Sequence, residues 1–368
     1  MSEKIKIGII GVGQIGKLHV QNYKNIPEAE IAAVCDINEA EARRVGEMAG
    51  AKRIFANFRD LLKVDEIQAV DVCLHNNLHA PVAIAAMEAG KHVYCEKPLA
   101  GSYADAQAMI EARGRTGQKL AMQMRTVYAL ETRAAKRLID EGCLGKIYYA
   151  KSSGYRRRGR PYVDGYGSAT FVQKAVAAGG ALYDMGVYHV CEILHLIANP
   201  QVLTISGATH QEIDMYEDRR KAGRYDVEEL GVGFVRLAGP ISFFIEESWA
   251  IHLAGTDGSK IAGSKGGITL NPFQFHTTLA DMEMDGAFQL KQADTRWHRC
   301  MENVSGYDGP QEHWIAALQG RVPLIDTAGL GLNMMKIAEG IYLSQQRGRE
   351  VTAEEVEQAS VSTAIKGL

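Results

Sequence analysis

An α/β fold is predicted: an N-terminal doubly wound parallel sheet, then an α+β domain with a large, mostly antiparallel open sheet. Two observations predict it. Between residues 5 and 95 short apolar runs alternate with helix-length stretches, and strands alternating with helices form parallel sheets with right-handed crossovers. Beyond residue 200 the apolar runs follow one another with only turns between, as antiparallel strands do. At roughly 100–200 residues per domain, a chain of 368 residues accommodates both. The division is expected between 1–124 and 125–368.

Residues 5–10, 31–36, 69–74 and 92–95 read as strands of the parallel sheet, and 16–25, 40–50 and 80–90 as the helices between them. A helix over 103–117 and a strand over 120–124 close this part. The texture then changes to a helix at 131–141, a glycine turn at 142–145 and a strand at 146–152. Residues 155–180 are irregular and basic, but they carry tyrosines and arginines among the glycines and so do not read as a linker. A helix over 180–197 stops before Asn199-Pro200. Antiparallel strands follow at 202–208, 229–237, 241–251, 258–262 and 266–270. Helices over 309–320 and 327–346 come last, and one of them is expected to pack back on the first domain.

Hydrophobic residues make up 46% of the chain and charged residues 23%, so neither disorder nor a fibrous class is suggested. A formal net charge of -3 creates no field that gathers nucleic acid or anionic membrane, and neither is expected as a partner. No stretch approaches the roughly 20 apolar residues of a membrane span, and the start of the chain lacks a signal-peptide pattern. Six cysteines without a C-x-x-C pair argue against zinc sites and disulfides and point to a reducing cytoplasm.

Gly11-Val12-Gly13-Gln14-Ile15-Gly16 follows the first strand directly and opens a helix. In that context G-x-G-x-x-G is a Rossmann dinucleotide fingerprint: the glycines allow a tight turn and close backbone approach, and the pyrophosphate sits on the helix N-terminus. Asp36 ends the second strand, where a carboxylate accepts hydrogen bonds from the adenosine ribose. It repels a 2′-phosphate, and Ile37-Asn38 bring no cation, so NAD is expected rather than NADP. Arg43 and Arg44 on the next helix keep a dual-cofactor reading open.

Glu96-Lys97-Pro98 lies at the carboxyl end of a buried strand, where ligands bind in such sheets. A lysine there can hydrogen-bond a substrate hydroxyl and favour its alkoxide. With the glycine loop, this motif and Gly179-Gly180-Ala181-Leu182-Tyr183-Asp184-Met185-Gly186-Val187-Tyr188-His189, the chain resembles the glucose-fructose oxidoreductase/inositol dehydrogenase (Gfo/Idh/MocA) family. Asn76-Asn77-Leu78-His79-Ala80-Pro81 adds to the likeness. The resemblance implies that Lys97 contacts both nicotinamide ribose and the reacting hydroxyl, and that Asp184 holds the substrate. It also places Asn76, His79 and Glu96 in the cofactor site and lets Tyr307 reach the nicotinamide. A general acid/base is implied four residues after Asp184. Many relatives carry His there; this chain carries Tyr188, with His189 one place on. Tyr188 is the first choice because of its offset, while His189 titrates near neutrality without help.

The expected activity is NAD-dependent oxidation of a secondary hydroxyl of a sugar, glycoside or cyclitol to a ketone, or the reverse. In the basic segment, Arg158, Tyr166 and Lys174 are candidate substrate contacts, suited to a polyol or a carboxylated sugar. No His or Cys spacing fits a metal site, and none is expected. Two other readings stand beside this one: a glycosidase that oxidises transiently and eliminates, and a non-catalytic NAD-binding regulator. An open sheet with an apolar face calls for a homodimer or homotetramer.

Overall fold

Residues 4–254 and 258–368 are described in the computed structural model of the chain, and their strands form two sheets. The first comprises β1 (Ile5–Ile10), β2 (Ala29–Cys35), β3 (Arg53–Phe55), β4 (Ala69–Val72), β5 (His92–Cys95) and β6 (Leu120–Met122), ordered β3-β2-β1-β4-β5-β6. Every pairing in it is parallel. Ile7, Ile9, Val70, Val72 and Val93 are fully buried, as near-continuous apolar runs must be when helices cover both faces. The strand order reverses between β1 and β4, which puts the ligand crevice at their carboxyl ends. The edge strand β3 and the helix Phe58–Leu62 beside it were not predicted; both are too short to show a period. The helix expected over 80–90 begins earlier, at Asn76, with Pro81 inside it. So near the helix start, the missing proline N–H costs a single backbone bond.

The second sheet has nine strands: β7 (Ile147–Tyr155), β8 (Val202–His210), β9 (Leu230–Leu237), β10 (Ile241–Ser248), β11 (Lys260–Gly263), β12 (Gly267–Leu270), β13 (Phe273–Leu279), β14 (Met282–Gly286) and β15 (Val351–Thr352). Its order is β14-β13-β12-β11-β7-β10-β9-β8-β15. All pairs are antiparallel except β7 with β10. The helices Val187–Leu196 and Thr327–Arg347 cover one face. On the other face the alternate residues Tyr149, Phe234 and Phe244 form an aromatic row, with Phe244 40% exposed. Among the described residues no helix is long and apolar enough to cross a membrane.

Helix Thr327–Arg347 also meets the first sheet's layer. Thr327 Oγ1 accepts the Met122 N–H at 2.9 Å, and a Glu339 oxygen accepts the Tyr103 N–H at 2.7 Å. Trp314 of helix Pro310–Leu318 packs on Tyr94 of β5 at 5.7 Å.

The basic segment is more ordered than its composition suggests. Arg160 is completely buried: its guanidinium donates to Asp164, to Glu229 at 2.9 Å, and to the carbonyls of Ile213 and Asp214. This arginine is a structural bolt, not a surface charge. Arg160→Ala strands two buried carboxylates, and a destabilisation of about 3–5 kcal/mol is expected, read as a lower urea midpoint.

Candidate active site

The turn between β1 and the helix Gln14–Lys24 is built for close backbone approach. Gly11 has φ of +90°, and a Cβ there would lie 2.4 Å from the Cys73 carbonyl oxygen; one on Gly16 would lie 2.0 Å from that of Gly11. A Cβ on Gly13 meets nothing within 4 Å, so space is open above the helix N-terminus, where Gln14 and Ile15 are exposed. The Asp36 carboxylate at the end of β2 braces this turn by accepting the Val12 N–H and the Asn38 N–H, each at 2.9 Å. Ile37 beside it is 94% exposed. Turn, helix N-terminus and carboxylate suit a dinucleotide. The arginines behind Asp36 are engaged elsewhere: Arg43 on Glu39, and Arg44 through two nitrogens on Glu41.

Lys97 follows β5 and reaches across to the second domain. Its Nζ donates to Asp184 Oδ1 at 2.9 Å and to the Asp184 carbonyl at 3.0 Å. The other carboxylate oxygen of Asp184 accepts Trp249 Nε1–H at 3.0 Å. Burial pushes both charges toward neutrality, but their attraction wins: the ammonium is held above the ordinary lysine range and the carboxylate below its own. The Tyr188 ring packs face-on against the ammonium, centroid 4.8 Å from Nζ, with the Arg125 guanidinium at 5.5 Å. Burial raises the Tyr188 phenol above its usual range, and the two cations only partly offset this.

His189 faces another way. Its Nδ1 lies 2.9 Å from Glu247 Oε2; Glu247 is fully buried and its second oxygen accepts the Ser152 hydroxyl. The His189 side chain is 29% exposed, and its Nε2 has no hydrogen-bond partner among the described residues. Burial works against the imidazolium, but Glu247 outweighs it and raises the His189 pKa. Glu247 and Trp249 sit two residues apart at the end of β10, so the strand's period of two points both to one side. One therefore meets His189 and the other Asp184.

A π turn over Leu182–Gly186 precedes the α-helix Val187–Leu196. Closing a turn by i→i+5 bonds takes up one more residue than an α turn, and beyond it the adjacent side chains part: Tyr188 meets Lys97 and His189 meets Glu247.

Other predicted residues lie differently. His79 is buried, with its ring nitrogens 2.9 Å and 3.0 Å from the carbonyl oxygens of Pro98 and Leu74; it fastens the Lys97 turn and has no free nitrogen for a cofactor. Asn76 donates to the Ala177 carbonyl at 2.8 Å. Glu96 accepts from His19 at 2.9 Å and from the Lys97 N–H. The Arg158 guanidinium lies on Asp164 and the Tyr216 ring; Arg156 is instead the arginine whose charge acts on Asp184 and His189. Tyr166 donates to the Gly159 carbonyl and accepts from Arg156. Lys174 stands 5.9 Å from the Tyr342 ring centroid. Tyr307 stacks on His313 at 5.0 Å, and that ring also meets Tyr128. Among the described residues the one grouping of metal-ligating type is His19, Asp71 and Cys73. His19 spends both ring nitrogens on Asp71 and Glu96, leaving none for a metal as arranged.

Sheet order, glycine turn and strand-end carboxylate define a dinucleotide-binding fold. Residues 5–124 match an oxidoreductase family with an NAD-binding Rossmann fold, and residues 132–269 match the GFO/IDH/MocA C-terminal domain. The chain belongs to the GFO/IDH/MocA oxidoreductase family. It is 27% identical over 359 residues to D-glucoside 3-dehydrogenase of Escherichia coli K12, covering 95% of this chain and 98% of that one. To myo-inositol 2-dehydrogenase of Thermotoga maritima it is 32% identical over 142 residues, 39% of this chain and 42% of that one. Its fold is similar to that of an oxidoreductase domain protein from Kribbella flavida, with a TM-score of 0.80 at 20% identity over 96% and 100% of the two chains. Levoglucosan dehydrogenase in complex with NADH and levoglucosan gives 0.75 at 20% identity over 95% and 100%.

Because Glu247 is what raises the His189 pKa, Glu247→Gln is expected to lower it. Imidazole NMR titration of the two proteins checks the direction, and an unchanged pKa contradicts the pairing.

Proposed function

We propose that this protein oxidises a secondary hydroxyl of a sugar, glycoside or cyclitol to a ketone, or runs the reverse, with NAD as hydride carrier. One observation carries the reading. Lys97, at the carboxyl end of β5 in the sheet that carries the glycine turn, is joined to Asp184 of the second domain, so a single ammonium links the dinucleotide-binding fold to the polar cluster of the second domain. The names of the glucoside and inositol dehydrogenases it resembles support the substrate class.

NAD, when bound, supplies a two-electron acceptor at the nicotinamide ring. The glycine turn and helix N-terminus hold its pyrophosphate, and Asp36 holds the adenosine ribose. The Lys97 ammonium donates to the reacting hydroxyl and favours the alkoxide, while Asp184 orients a hydroxyl of the substrate. His189 takes the hydroxyl proton on its free Nε2, with Glu247 holding Nδ1–H and so the tautomer. The carbinol carbon gives up hydrogen with its electron pair, the proton rests on His189, and a ketone is left. His189 is preferred to Tyr188 because the tyrosine meets Lys97 with its ring face, and its phenol is harder to ionise than usual.

His189 must be neutral to accept a proton. With its pKa raised, oxidation is expected to increase with pH through a value above that of free histidine, and ketone reduction to be favoured below it; pH profiles of kcat/KM in both directions test this. Arg125 and Arg156 have no carboxylate partner among the described residues, which favours a substrate that carries a carboxylate of its own. The decisive assay mixes the protein with NAD or NADP and a panel of cyclitols, aldoses, glycosides and uronates, and follows reduced nicotinamide. Lys97→Met is expected to lose about 10²–10⁴-fold in kcat. Aryl glycoside cleavage without net NADH instead supports the transient-oxidation reading.

NAD is preferred over NADP because a 2′-phosphate meets the Asp36 charge without a free arginine nearby. Asp36→Ala is expected to narrow the ratio of the two dissociation constants, and an unchanged ratio removes Asp36 from the cofactor site. The aromatic row on the open sheet face supports self-association as a dimer or tetramer. Phe244→Glu is expected to lower the sedimentation coefficient; a wild-type protein that is monomeric at micromolar concentration contradicts the assembly.

A further inference from the structure

His19 has no part in the proton path described above, yet both of its ring nitrogens are hydrogen-bonded, one of them to the residue before Lys97. It lies on the helix Gln14–Lys24, three residues past the last glycine of the turn, with its ring 1% exposed. Nδ1 is 2.8 Å from Asp71 Oδ2 in β4, and Nε2 is 2.9 Å from Glu96 Oε1 at the end of β5. A neutral imidazole has one N–H; a ring facing carboxylate oxygens from both nitrogens is satisfied as the imidazolium. Glu96 Oε2 in turn accepts the Lys97 backbone N–H at 2.9 Å, and the Lys97 ammonium reaches Asp184. A connected path thus runs from the helix that opens at the glycine turn, through two hydrogen bonds on Glu96 and along the Lys97 side chain, to the second domain.

We propose that His19 is a positioning residue for hydride transfer: its ring ties the helix whose N-terminus holds the cofactor phosphates to Glu96, and so sets where Lys97 stands relative to the dinucleotide. This rests on the dehydrogenase reading of Lys97. The physical need is twofold. Reacting groups displaced by about 1 Å cost on the order of 10²-fold in rate, and Lys97 is delivered by a turn, not a strand. In addition, Asp71 and Glu96 are buried carboxylates, and without a cation between them they repel. The remaining titratable groups around the ring are Cys73, Tyr94, Cys95 and, on its own helix, Tyr23, none of which supplies a positive charge. Burial lowers the His19 pKa, but Asp71 more than compensates, and Glu96 is held below the ordinary carboxylate range by the same ring.

The test uses the full chain with the substrate found in the panel. His19→Gln keeps one amide donor but cannot bridge both carboxylates. Its kcat is expected to fall about 10²-fold, with the NAD dissociation constant and substrate KM within about threefold, and with a larger primary deuterium isotope effect. Glu96→Gln is expected to do the same, and the double variant to be no worse than the poorer single one, as groups acting through one another require. A folded His19→Gln protein with wild-type kcat, a loss explained wholly by weaker NAD binding, or additive losses in the double variant would each overturn the proposal. If His19→Gln does not fold, wild-type kcat in Glu96→Gln overturns it equally. Lys97→Met separates the two levels: if that variant is inactive while His19→Gln is not, only this inference fails, whereas wild-type kcat in Lys97→Met overturns both.

Discussion

The ion pair between Lys97 and Asp184 is the contact on which the rest of the molecule is arranged. It joins the end of a parallel strand to the π turn that precedes helix Val187–Leu196 in the second domain. Each partner is largely withdrawn from solvent, so each charge is stabilised chiefly by the other. The two cores are built so that this geometry is available. Trp249 holds the far side of Asp184, Glu96 holds the Lys97 backbone, and helix Thr327–Arg347 seals one domain layer to the other.

The carboxylates named around the site each have specific donors. Glu247 takes His189 and Ser152, Glu96 takes His19, and Arg160 settles Asp164 and Glu229. Arg125 and Arg156, both exposed, have no carboxylate within ion-pair distance among the described residues. Such an arrangement is pre-organised: its dipoles and charges are oriented before the substrate arrives, the condition under which electrostatic stabilisation is most effective.

Much of this was legible in the sequence where a function depends on neighbours along the chain. The glycine turn declares itself because its three glycines serve one local backbone geometry. Lys97 declared itself as a charge out of place at the end of an apolar strand. Trp249 and Glu247 did not, although their spacing carried the signal of one strand face; what they touch lies 65 and 58 residues away. β13 and β14 likewise show a period of two in Phe273, Phe275, Met282 and Met284, but their outward position makes it easy to pass over. In the irregular basic segment no period tells one arginine from its neighbour, so that Arg158 pairs with Asp164 while the charge of Arg156 acts on Asp184 and His189 is set by the tertiary fold.

The sequence by itself determined the order of the main strands and helices, the dinucleotide turn and the place of Lys97, because these follow from local sterics and from the cost of a charge at the end of an apolar strand, while Asp184 was marked by the family resemblance. Only the tertiary structure decided how adjacent residues divide the work. Tyr188 turns its ring to Lys97 while His189 turns to Glu247. That division is set by a π turn and by the strand packed against it, and neither the extra residue in a turn nor a partner nearly sixty residues distant leaves a mark in the local pattern of side chains.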